Sequence, residues 1–295
     1  MLKLKLIKNL LFLALITVFS IYLSPGCNEN PAEDTQTDDQ FLQEVVTAGI
    51  GSNNEEEDDL MSGEKSDLDD GGAVDNGGGF DTPIDSLIKW GRRVISVNVN
   101  INITSEGDSL KNVNVTRTIN GNFIIVGMVN GNLDTVVKPY TEVIYRTAVF
   151  KRIAHTPRPR FNWKVYKVSM ADGGTTAPQN SNDYIQMQKI DVYVNGNLTY
   201  TFNGPDFAQN IFVTKRFGGD GIPKFHLGEQ VRVVVTTVSQ QSEQDIVAWH
   251  WARNTFGFHR VPFTMTSSIP NPNGPGYLRT FEKTVTIYAG HRYGV

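Results

Sequence analysis

The sequence predicts a mainly β protein of antiparallel strands, with a β-sandwich in the C-terminal half and a β-meander module ahead of it. Ile95, Val97, Val99, Ile101 and Ile103 alternate with Ser96, Asn98, Asn100 and Asn102, the period of two that a half-buried strand requires. Asn-Gly pairs recur between apolar runs at 120–121, 130–131 and 195–196, and Asn and Gly tolerate the positive φ angles of a tight hairpin turn. Beyond residue 183, about seven short strands separated by turn residues fall within some 110 residues, the density of a sandwich.

In chain order, residues 1–26 carry three lysines and no acid, and Leu10 to Leu23 is an uncharged apolar run. A membrane-spanning helix needs about 20 apolar residues, so the run fits a signal-peptide core with its lysines on the cytoplasmic side. Ser24-Pro25-Gly26-Cys27 follows, then acidic, polar chain; Cys27 is the only cysteine, so no intramolecular disulfide forms. This segment resembles the lipobox of bacterial lipoproteins, with Gly26 as the small residue before the cysteine. Ser24 and Pro25 depart from the common pattern, and Leu23 lies one place early. The resemblance covers about a tenth of the chain. It implies cleavage before Cys27, acylation of its thiol and attachment to membrane lipid. Asn28, where an Asp would imply retention in the inner membrane, points to the outer membrane. The competing reading is an uncleaved anchor with an incidental cysteine.

Residues 27–81 carry 17 Asp and Glu against one lysine, whereas residues 82–295 carry 23 Lys and Arg against 14 acids. Such an acidic stretch cannot bury enough apolar surface to offset chain entropy, so 27–81 is expected to be a disordered, self-repelling tether. Within it Phe41, Leu42, Val45 and Val46 share a helical face, with Asp38 or Asp39 placed to cap it. An isolated helix of that length is marginal in water, so a transient one is expected. Asp67 and Asp69 begin a calcium-loop pattern, but Gly71 falls where the third ligand belongs.

Residues 82–170 form the first expected module: one or two helical turns at 84–91, the alternating strand, strands either side of Asn120-Gly121 taken as a hairpin turn, and strands at 141–153 and 161–169. A plain β-sandwich ranks ahead of the alternative, a cystatin- or NTF2-like α+β sheet, which needs a helix across it from 84–91 or 39–46. Residues 171–182 contain nothing that packs and read as a linker. Residues 183–295 read as strands near 186–194, 197–203, 210–215, 229–239, 246–253, 257–266 and 279–289. That half resembles an immunoglobulin-like sandwich, and Leu227 to Thr237 resembles the turn-then-strand segment of fibronectin-like domains. The resemblance is generic, without the Cys…Trp…Cys signature.

For chemistry, the single cysteine is assigned to lipid, and no nucleophile elbow, zinc-protease helix, phosphate-binding loop or dinucleotide fingerprint is present. No enzyme and no cofactor are expected. His250 and His259 could share a metal from neighbouring strands, but their spacing defines no site, and no metal is expected. The strongest candidate is Ala248-Trp-His-Trp-Ala-Arg253, which places Trp249 and Trp251 on one strand face with Arg253 beside them. Exposed, they are a stacking platform for sugar rings; buried, they are core, the reading that neighbouring Val247 favours. The basic body lacks an aromatic-basic nucleic-acid motif, so its expected partners are membrane lipid through acylated Cys27, and polysaccharide or another surface protein. The expectation is a non-catalytic envelope lipoprotein serving binding, adhesion or structure. A carbohydrate-binding lipoprotein is second, and a hydrolase with a site invisible in the sequence is third.

Overall fold

The computed structural model describes residues 36–48, 72–73, 86–242, 245–254 and 257–287, the side chains of 48, 72–73, 86, 87, 89, 182, 250–254 and 257–260 excepted. The expected signal peptide, Cys27, most of the 27–81 tether, Asp67 and Asp69 lie outside these residues. The described chain is mainly antiparallel β in several sheets, consistent with a β-sandwich.

A helix, α1 (Asp38–Ala48), precedes a two-residue strand, β1 (Gly72–Ala73), and three long strands, β2 (Ser86–Glu106), β3 (Leu110–Val129) and β4 (Asn132–Arg152). The 84–91 stretch, expected to be helical, instead begins β2: Trp90 pairs with Ile125 and Lys89 with Val126. Long-range pairing overrides what a short local pattern prefers. Asn130 and Gly131 turn β3 into β4 with φ angles of 50° and 75°, as the turn chemistry requires. Asn120-Gly121 does not turn. It lies inside β3, paired to Thr141 and Tyr140. A Cβ on Gly121 would stand 2.5 Å from the Arg93 carbonyl oxygen and 2.8 Å from the Tyr140 ring, so the glycine serves close approach.

A helical turn, α2 (Pro159–Asn162), leads to β5 (Trp163–Ser169), and β6 (Asp172–Ala177) follows. β6 pairs with β4 from Tyr145 to Thr141, so half of the expected 171–182 linker is strand. Its small Gly and Thr residues offer nothing to a core but leave the backbone free to pair. The remaining strands are β7 (Ile185–Val194), β8 (Asn197–Asn203), β9 (Ile211–Val213), β10 (Gln230–Ser239), β11 (Ala248–Asn254), β12 (Gly257–Pro262), β13 (Thr264–Pro270) and β14 (Tyr277–Thr286). Asn195-Gly196 makes the expected turn between β7 and β8, with φ angles of 50° and 87°.

The first sheet runs β1-β2-β3-β4-β5-β9, with β6 on β4; the second runs β13-β14-β10-β7-β8; β11 and β12 form a ribbon. β9, expected within the C-terminal sandwich, therefore belongs to the first sheet, where Val213 pairs with Lys167. The division at 171–182 into separate modules does not hold for the strand pairing. The first core gathers Val113, Val115, Ala148, Phe150, Trp163, Val165 and Val168 under α1. The second gathers Val192, Val231, Val233 and Val235, with Phe225, Val247, Trp249 and Phe263 packed against them.

Candidate functional site

The helix inside the acidic stretch is built into the body. Thr37 caps α1: its Oγ accepts from the Gln40 amide at 3.2 Å, and the Gln40 side chain accepts from the Thr37 amide at 2.9 Å. Neither Asp38 nor Asp39, the expected caps, fills this role. The Asp38 carboxylate accepts from the Arg152 guanidinium at 2.7 Å, and Asp39 pairs with Lys111. Both cations also lie over the ring of Trp163, Arg152 at 4.6 Å and Lys111 at 5.5 Å from its centre. One turn further on, Phe41, Leu42, Val45 and Val46 are buried on the first sheet. Each apolar side chain so buried contributes about 1.5–3 kcal/mol, which turns a marginal helix into a docked one.

The β4–β5 connection lies at the same end. Arg152 donates its amide to the Ser109 carbonyl at 2.8 Å, fixing the end of β4 beside the β2–β3 turn. Buried Asn162 organises the following loop: its Oδ1 accepts from the Thr156 amide at 2.7 Å and hydroxyl at 2.9 Å, and its Nδ2 donates to the Thr156 carbonyl at 2.8 Å. The Arg158 amide donates to the Thr156 hydroxyl at 3.2 Å, and buried Pro159 anchors the far side. Phe161, expected to begin a strand, stays exposed, with the Arg160 guanidinium 4.8 Å from its ring centre.

The aromatic candidate has a different setting. Trp249 is half-buried against the second core, the use set against a sugar platform in the sequence. Trp249 pairs with Val261 and Trp251 with His259; the side chains of Trp251 and Arg253 lie outside the described residues. His250 pairs with Arg260, so His250 and His259 hold alternate positions on the ribbon rather than matched ones. Among the described residues no three His, Cys, Asp or Glu side chains gather as a metal site. No helix among them is long and apolar enough to cross a membrane.

Just ahead of the ribbon is a network no local pattern announces. Arg279, 2% exposed, bonds Asp245 at 2.6 Å, the Ser268 hydroxyl at 3.2 Å and the Gln241 carbonyl at 2.7 Å. Asp245 also accepts from Ser239 at 3.0 Å. Gln241 and Asp245 are thereby tied to Arg279 on β14, which also holds Ser268 on β13. Two carboxyls are displaced from the usual range. Burial, then the charge of Asp206, raises that of Asp172 despite backbone hydrogen bonds from Phe207 and Gly173. Burial pushes Asp191 up, but hydrogen bonds from Lys189 and Thr201 and the lysine's charge outweigh it, leaving Asp191 lowered.

No protein-family model matches the chain, and no curated protein does. Among solved structures, a chain of extended-synaptotagmin 2 that comprises its SMP domain and two C2 domains is similar at 8% identity and a TM-score of 0.16, over 68% of this chain and 60% of that one. This chain thus spans 60% of that structure's length. A TM-score that low marks no shared architecture.

Proposed function

We propose that the chain is a lipid-anchored protein of the bacterial envelope, cut and acylated at Cys27, whose strand-rich body has a non-catalytic binding, adhesion or structural role. The observation that supports it best is the docking of α1. The helix begins eleven residues after Cys27 and is held by two ion pairs and four buried apolar side chains. A lipobox-like cysteine followed closely by a helix bound into the body forms an attachment: lipid, short leash, body. Acyl chains contribute about 0.8 kcal/mol per buried CH₂, so several on one cysteine hold the protein firmly to a bilayer. The outer membrane is the proposed site, since Asn28 follows the cysteine.

Mass spectrometry of the mature protein tests this reading. The expected N-terminal peptide begins at Cys27 and carries the mass of its acyl groups, and Cys27→Ser leaves the membrane fraction. A mature chain with a free Cys27 thiol, or a Cys27→Ser chain still bound to membrane, overturns it.

A further inference from the structure

The leash between Cys27 and α1 is residues 28–37, ten residues that reach at most about 36 Å fully extended. Whatever end of the body carries Asp38 is therefore the end kept nearest the anchoring surface. Asp38 is bonded to Arg152, and Ile153 follows Arg152 directly into the loop that Asn162 organises. That loop exposes Ile153 and Phe161, at 41% and 45%, together with Arg160, and Arg158 is half-buried beside them. Among the described residues neither Arg158 nor Arg160 has an ion-pair partner, unlike Lys111 and Arg152 just behind. No acid occurs from residue 143 to residue 171. Glu106 at the end of neighbouring β2 and Asp108 in the β2–β3 turn oppose an anionic surface. Attraction must therefore come from the two arginines and the apolar pair rather than from net charge.

We propose that this loop is a membrane-contacting face, with Arg158 and Arg160 on the phosphates of anionic lipid and Ile153 and Phe161 entering the headgroup layer. The proposal rests on the anchoring reading above, because the length of the leash and the place where it ends choose the occupant. Guanidinium groups suit phosphate oxygens, and an aromatic ring with an attached cation suits the bilayer interface. The loop is held in shape before contact, so little ordering cost attends binding.

Amide hydrogen exchange of the mature chain on vesicles tests it, with the protein held by its acylated Cys27. If mass spectrometry finds no acyl group, the sole thiol is coupled to a maleimide lipid, so failure of the anchoring reading registers separately from failure of the loop contact. On vesicles of phosphatidylcholine and phosphatidylglycerol, exchange across 153–162 should slow relative to the free chain, and exchange across the 195–199 turn should not. Arg158→Ala with Arg160→Ala should weaken the contact about fivefold per arginine, with the melting temperature unchanged as the check on folding. Unchanged exchange at 153–162, equal slowing on pure phosphatidylcholine, slowing that survives the double substitution, or slowing without lipid at raised protein concentration would each overturn the proposal.

Discussion

Arg279 and Arg232 make the same kind of bond in settings that give it different worth. Arg279 is almost fully buried with Asp245, whereas Arg232 meets Glu282 at 3.2 Å with both side chains about 40% exposed. Removing one member of a buried pair strands the other, so Arg279→Ala should cost about 3–5 kcal/mol in urea unfolding. Arg232→Ala should cost less than about 1 kcal/mol. Two carboxyls give opposite pH signatures. Asp172 titrates above its unfolded value, so its contribution is full below the unfolded pKa and is lost as pH rises through the folded one. Asp172→Asn should therefore raise the urea midpoint at neutral pH and gain nothing in acid. Asp191 titrates below its unfolded value, so its contribution is present above the unfolded pKa and lost as pH falls through the folded one. Asp191→Asn should lower stability at neutral pH and flatten the acid limb of the stability profile. At this scale the sequence reading placed the cap at Asp38 or Asp39 and passed over Thr37-x-x-Gln40, whose capping-box spacing is the local signal that could have found it. The Asp38–Arg152 and Asp245–Arg279 bonds were not readable from the sequence, since their partners lie 114 and 34 residues apart.

Among the elements, the strands flanking the second Asn-Gly turn were legible. The expected 186–194 and 197–203 are observed as 185–194 and 197–203, joined by the expected Asn-Gly turn. The same dipeptide misled at Asn120-Gly121, because Gly is equally the residue of close approach, and only the position of Tyr140 decides between the two uses. The apolar face of α1 was visible too, but its fate was not. A four-residue stripe signals what a helix can bury, and whether it does depends on a sheet some 70 residues away in sequence. Leu42→Ala should lower unfolding stability by about 2–5 kcal/mol if α1 belongs to the cooperative unit, measured by denaturant titration of the intact chain. A stability equal to that of the unsubstituted protein would mean the helix contributes nothing to the core.

For the whole molecule, the sheet class was legible and the connectivity was not. β6 is too polar and β9 too short to announce a partner, yet both join the first sheet. Pairing uses backbone groups that every residue but proline carries, so composition says little about which strands pair. The docked helix also changes what the acidic stretch can do. If Cys27 is acylated as proposed, a pull on its lipid would pass through the ten residues 28–37 into α1 and the first sheet. Were α1 to peel away and β1 to unpair, the connection to β2 would lengthen to 58 residues, with a maximal reach of about 200 Å instead of about 36 Å. Until that release, tension on the proposed anchor would be borne by the two ion pairs and four apolar side chains that seat α1. Their rupture force would set the step at which the body is let out from the surface.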